Sequence, residues 1–169
     1  GFVTPFMEGL RTGLAEVAAA GIPLSETHVL FSTHSIPSTD AAKSGPSFRD
    51  FGEGGAYAAQ HRAVAEVVVA GTDANWSLVF QSRSGPPTQP WLEPDINDAI
   101  RDLAGNGIRA VVIVPLGFVS DHMEVKWDLD TEAMETSNEL GVLAIRVPTP
   151  GIHAAYVSGL IDLVVERRD

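Results

Sequence analysis

Hydrophobic positions recur along this chain at two alternating periods. Over residues 4–20, Phe6, Leu10, Leu14 and Val17 fall at spacings of three and four, the stripe of an amphipathic helix, and Gly21 and Pro23 end it. His28-Val29-Leu30-Phe31-Ser32 follows as a short buried strand that stops at His34. Residues 55–70, rich in Ala and Val with no strong breaker before Gly71, predict a second helix, and 76–81 a second strand. Pro94 and Asp95 open a third helix that Gly105 and Gly107 close, and 110–115 is a third strand. The pattern is helical again from about 121 to 140 with Gly141 as its cap, strand-like over 142–147, and helical from about 153 to 167. Arg167 and Arg168 sit favourably near the negative end of that last helix. Residues 38–54, rich in Ser, Gly, Asp and Pro, read as a surface loop.

Strands that are nearly all apolar and alternate with helices imply a parallel sheet covered on both faces. The expected fold class is therefore α/β: a Rossmann-like three-layer arrangement with a four-stranded parallel sheet. The chain divides into a leading helix over 1–20, a domain over 21–149 and a closing helix over 150–169.

Open parallel sheets bind ligands just beyond the carboxyl ends of their strands. Three such ends here carry polar groups: Ser32-Thr33-His34-Ser35, Gln81-Ser82-Arg83-Ser84, and the run from Gly117 through Asp121-His122-Met123-Glu124. His34 has no place in the hydrophobic pattern, because the strand before it is already complete, and an imidazole there can accept a proton near neutral pH. A capping or packed histidine is the plainer alternative. Glu124, Asp128 and Glu132 follow at steps of four, so one helix carries all three on one side. Like charges at that spacing weaken a helix, so helix stability is no reason for them. Carboxylates lined up from a cleft can pass on divalent cations or protons, whereas the plainer alternative is a solvated acidic surface. Asp121-His122-Met123-Glu124 holds one histidine where a helical zinc pair needs two.

Composition changes the picture in two ways. A formal net charge of −11 over 169 residues disfavours nucleic acid, whose phosphates need a basic surface. The absence of cysteine excludes disulfides, thiolate zinc sites and iron–sulfur clusters ligated from within the chain. A cytoplasmic location is the expectation, and the longest apolar run, Ala110-Val111-Val112-Ile113-Val114, is too short to cross a bilayer. The chain opens on Gly1 without an initiator Met, as a processed product or a piece of a longer protein would.

Three ordered motifs carry a family resemblance. They are Phe31-Ser32-Thr33-His34-Ser35-Ile36-Pro37; Trp76-Ser77-Leu78-Val79-Phe80-Gln81-Ser82-Arg83-Ser84-Gly85-Pro86 with Pro90-Trp91-Leu92-Glu93-Pro94; and Gly117-Phe118-Val119-Ser120-Asp121-His122-Met123-Glu124-Val125-Lys126-Trp127-Asp128-Leu129-Asp130. In this order they resemble the ferrochelatases over almost the whole chain. That resemblance implies a chelatase fold of two Rossmann-like halves with a porphyrin between them, of which this chain is similar to the C-terminal half. It implies insertion of ferrous iron in heme biosynthesis. Coproporphyrin III is favoured over protoporphyrin IX, since the style is similar to actinobacterial members.

By the same resemblance His34 and Glu124 are the catalytic pair, the histidine taking a pyrrole proton or touching the metal. His34, Glu124, Asp128 and Glu132 form the metal path, and Gln81, Arg83, Trp91 and His122 contact substrate. Iron is a substrate, no cofactor is held permanently, and no iron–sulfur cluster is expected. The implied partners are the porphyrin and the other, N-terminal half of the same protein, with peripheral membrane contact allowed. Residues 85–90 carry two extra positions, Glu93 stands where Gly is common, and Tyr57 is given no role. A sirohydrochlorin cobaltochelatase-like enzyme and a non-catalytic porphyrin- or metal-binding module are the alternatives.

Overall fold

The computed structural model describes residues 1–86 and 88–168, so Pro87, within the two-residue extension expected over 85–90, and Asp169 lie outside the described residues. The first apolar stripe forms α1 (Val3–Ala19), whose Phe6, Leu10 and Val17 are buried. A single 3-10 turn leads into β1 (Thr27–His34). The 38–54 stretch is not wholly irregular: a short α2 (Ser38–Ala42) begins it, and turns carry the chain to α3 (Gly55–Val69). β2 (Asn75–Gln81), α4 (Ile96–Gly105) and β3 (Ala110–Val114) follow. Asp95 caps α4, its carboxylate accepting the Asn97 amide at 2.8 Å and so satisfying a donor the helix start leaves open.

The predicted helix over 121–140 is three segments: α5 (Met123–Val125), a π segment (Lys126–Ala133) and α6 (Met134–Glu139). Gly141, at φ 68°, turns the chain out of α6 in the left-handed conformation that glycine adopts without a Cβ penalty. β4 (Leu143–Arg146) and α7 (Ala154–Glu166) complete the described chain.

All four strands are parallel, in the order β2-β1-β3-β4. The central strands β1 and β3 are buried on both faces and have little need of polar side chains, which is why their middles read as apolar runs, whereas the edge strand β4 is only half-buried. α1 and α3 cover one face, packing Phe6, Leu10, Ala58, Ala65 and Val68 against Val29, Phe31, Leu78, Phe80, Val112 and Val114. α4 and the 123–139 helical run cover the other, with Ile96, Ile100, Val125, Leu129 and Ala133 against Leu30, Val79, Val111 and Ile113. Alternate residues of each strand serve opposite layers, as the pleat requires. Among the described residues no helix is long and apolar enough to cross a membrane.

At the amino edge of the sheet, His28 Nε2 lies 3.1 Å from Ser77 Oγ. Burial disfavours the charged imidazole and holds His28 below its ordinary value of 6.5. Between the folded and unfolded values the unfolded chain therefore binds more protons, so stability rises with pH in that window. The contribution is complete above about pH 6.5 and is lost as pH falls toward the lowered folded value. Urea melts at pH 7 and pH 5 are expected to show this loss, and His28→Gln is expected to reduce the difference between the two.

Candidate functional site

The register of the sheet brings the chemistry to one edge. His34 pairs with Gln81 at the ends of β1 and β2, and Ile113 pairs with Arg146 at the ends of β3 and β4. The β3 loop then folds back over the edge of β1. The Gly117 amide donates to the Ser32 carbonyl at 3.1 Å. A Cβ on Gly117 would lie 2.1 Å from Thr33 Oγ1 and 2.9 Å from Thr33 Cα, so only glycine permits this approach. The loop so placed delivers α5, and with it Glu124, beside His34.

His34 Nε2 and Glu124 Oε1 are 3.5 Å apart, both side chains still open to solvent. His34 Nδ1 contacts the Ser35 carbonyl, which can only accept, so Nδ1 carries the proton and Nε2 faces the carboxylate. In the neutral ring Nε2 is an acceptor, as is the carboxylate oxygen. Two acceptors at this distance attract one another only through a proton or cation between them. The pair is thus built to take up positive charge.

Asp128 lies further along the same helical run. Its Oδ2 accepts from Gln81 Nε2 at 3.1 Å and is contacted by Ser82 Oγ. Gln81 is only 1% exposed, and its other amide atom accepts from Ser32 Oγ at 2.5 Å. Both ends of the Gln81 carboxamide are thus used inside the protein, one of them on Asp128. Ser82 reaches Asp128 from a backbone at φ 62°, a conformation a non-glycine residue adopts at a cost of about 1 kcal/mol.

Glu132 accepts from Trp127 Nε1 at 3.0 Å, an i to i+5 pairing that the wider π turn favours. It borders a surface recess with Asp95, Arg101 and Glu135, apart from His34. Val125, Leu129 and Ala133 are buried at steps of four alongside the acidic residues, so the three carboxylates keep a common side of the run. They do not converge, however. Among the described residues no three His, Asp or Glu side chains gather closely enough to hold one ion, so the expected four-residue metal set resolves into one close pair and two separate carboxylates.

The remaining expected contacts are scattered. Arg83 is exposed and pairs with Glu93 at 3.6 Å. Trp91 is half-buried and lines a separate cavity of about 1080 Å³ along β2 with Trp76, Arg62 and Leu92. His122 caps α5, its Nδ1 accepting from the Val125 amide at 3.5 Å, and its exposed ring stands edge-on to Phe118.

Arg146 is a site residue the sequence reading missed. Its guanidinium reaches Asp121 Oδ1 at 2.9 Å and grips Asp130 through Nε at 2.5 Å and a second nitrogen at 3.0 Å. The side chain is 13% exposed, and its planar fork ties both the approach to α5 and the π segment to the end of β4. An arginine closing an otherwise apolar strand at the ligand edge was the available signal.

Comparison with known proteins follows this geometry. The family model described as ferrochelatase matches residues 1–168. The chain is 63% identical over 180 residues to the coproporphyrin III ferrochelatase of Leifsonia xyli subsp. xyli, covering all of this chain and 46% of that protein. It is 58% identical to the coproporphyrin III ferrochelatase of Tropheryma whipplei (strain Twist), covering 99% of this chain and 44% of that one. For the coproporphyrin III ferrochelatase of Streptomyces coelicolor the identity is 46%, with 99% and 45% covered. The chain thus spans about half the length of the curated relatives it matches. Among solved structures, a cobalamin (vitamin B12) biosynthesis CbiX protein from Marinobacter aquaeolei VT8 superposes with a TM-score of 0.53 at 16% identity. That match covers 83% of this chain and 96% of that one, a likeness of fold alone.

Proposed function

The chain belongs to the ferrochelatase family, and from that premise we propose that it supplies the His34–Glu124 half of an enzyme inserting ferrous iron into coproporphyrin III. The observation that carries this reading is the 3.5 Å pair itself, solvent-open at the ligand edge of the sheet. Insertion exchanges two pyrrole protons for one Fe2+. A planar macrocycle hides its nitrogen lone pairs, and bending it in a rigid cleft exposes them at a cost of about 1–5 kcal/mol. His34, with Nε2 free, takes a pyrrole proton, and Glu124 passes it to solvent or accepts the second. Asp128, fixed by Gln81 and Ser82, and Glu132 beyond it continue the acidic line along which iron approaches or protons leave. Iron is substrate here, and the reaction asks for no nucleophile or nucleotide.

The other wall of the cleft belongs, in this proposal, to the part of the relatives' length that the chain does not span. α7 supports it: Val157, Leu160, Ile161, Leu163, Val164 and Val165 are each between 40% and 63% exposed, and no residue of this helix is buried. An apolar helix so placed calls for a covering surface. Residues 1–169 alone are therefore expected to bind coproporphyrin weakly and to insert Fe2+ at least roughly tenfold more slowly than the protein of full family length, since one wall cannot hold the ring in a reactive pose. Anaerobic insertion assays on both forms test this. Equal rates would remove the two-walled cleft, and no insertion by the longer form would remove the function.

A further inference from the structure

Tyr57 is not part of the His34–Glu124 pair, yet it reaches the same backbone from the opposite layer. Its hydroxyl donates to the His34 carbonyl at 2.7 Å. The same oxygen lies 3.0 Å from Thr33 Oγ1, which in turn lies 3.0 Å from His61 Nε2. His61 Nδ1 returns to the Tyr57 carbonyl at 2.8 Å, and the two rings pack at 4.7 Å. With Nδ1 donating to the Tyr57 carbonyl, Nε2 of the neutral His61 ring accepts the Thr33 hydroxyl, so Thr33 and His61 pack against the phenol while its own single proton goes to the His34 carbonyl.

The start of α3 is equally constrained. Gly54 and Gly55 both take positive φ, and a Cβ on Gly55 would fall 1.9 Å from the Ala41 carbonyl, so α3 begins in close contact with the end of α2. The Tyr57 amide donates to Ser44 Oγ at 2.9 Å. This fixes the one turn of helix from which the phenol can reach the end of β1.

On the other side of the same peptide, the Ser35 amide donates to the Gln81 carbonyl at 2.7 Å and Ser35 Oγ to the Leu92 carbonyl at 2.9 Å. The Ser35 carbonyl, in turn, sets the His34 ring through Nδ1. The 34–35 peptide is therefore gripped by β2, by the 90–92 segment and by Tyr57. Only the last of these grips comes from a side chain of the α3 layer. The Ser35 carbonyl belongs to the next peptide, one residue on, so loosening the 34–35 unit shifts the Ser35 Cα from which that carbonyl is aimed at the imidazole.

We propose that Tyr57, braced by Thr33 and His61, is a positioning residue that keeps His34 in the Nδ1-protonated tautomer with Nε2 presented to the cleft. The inference rests on the ferrochelatase reading only where activity is concerned, because the tautomer itself is observable without turnover. Burial, which holds the Tyr57 phenol above its ordinary range, keeps it a donor throughout the working pH range.

The test is Tyr57→Phe, read by nitrogen-15 NMR of the histidine rings in this chain and by kinetics in the protein of full family length. We expect the His34 ring to lose its single-tautomer pattern. The expected kcat falls roughly tenfold while KM stays within about twofold, the signature of a mispositioned base rather than weakened binding. Tyr156→Phe, at an exposed helix, is the control and leaves both readings alone. A purely structural Tyr57 would lower the melting temperature without touching the tautomer, and an unchanged His34 pattern in the variant overturns the proposal. If Tyr57→Phe does not fold, Thr33→Val breaks the same chain one link back with the same two outcomes. Absence of insertion by the unsubstituted protein of full family length in the same assay counts against the ferrochelatase reading and leaves the tautomer result standing.

Discussion

His34→Ala is expected to lower iron insertion by about 10²–10⁴-fold in the protein of full family length, the usual worth of a positioned acid–base group. The expectation follows from geometry. His34 Nδ1 is committed to the Ser35 carbonyl, so Nε2 is the basic atom that the ring presents, and it faces Glu124 Oε1 at 3.5 Å. Alanine removes that atom and leaves the strand intact, since the His34 backbone is held by Gln81 and Tyr57. Coproporphyrin affinity, followed by difference absorption, is therefore expected to stay within a few-fold. A non-catalytic porphyrin-binding module would behave in the opposite way, with affinity changing and no turnover to lose. Insertion that survives the substitution would end the case for His34 as the base.

The second large effect is structural. Gly117→Ala is expected to destabilise the fold by about 3 kcal/mol, at the upper end of overpacking, and to depress insertion as well. The new methyl would meet Thr33 Oγ1 at 2.1 Å, its Cβ at 2.7 Å and its Cα at 2.9 Å. A side-chain rotation relieves the first of these contacts and not the last, so the loop or the strand must move. The loop carries Glu124 toward His34, and Thr33 is the residue through which Tyr57 and His61 are joined. Adding Thr33→Gly removes the side chain from the clash and is expected to restore part of the stability, though not the Tyr57 contact. Denaturation of the single and double variants measures the coupling directly. Purely additive effects would mean that the close approach is not what excludes alanine.

Helices and strands were legible because burial leaves a periodic trace. Phe6, Leu10 and Val17 had to face one layer, and the five residues of β3 had to be apolar on both sides, so period and run length declared the elements. His34 was visible for the complementary reason, a polar ring immediately after an apolar strand was finished. The acidic residues at steps of four were visible too, and they do share one side. Their partners were not. A π segment differs from an α-helix by the closure of each turn and leaves no compositional mark, yet it brings Trp127 to Glu132.

The same limit applies to side chains whose partners lie far along the chain. The family resemblance makes Gln81 an expected substrate contact, and nothing along the chain says which partners its carboxamide has. Only the packed structure shows its amide satisfied by Ser32 and Asp128. Arg146, Tyr57 and His61 were passed over, since each acts on a residue far away in the chain: Arg146 on Asp121 and Asp130, Tyr57 and His61 on the end of β1.

The amino-acid order by itself determined the layers and the parallel sheet, because hydrophobic periodicity and strand ends are local properties, while His34 and Glu124 were named as a pair by the family resemblance. What tertiary structure alone decided was which polar atom meets which. Hydrogen bonds depend on tenths of an ångström and on approach angle between distant segments, and no spacing along a chain encodes those.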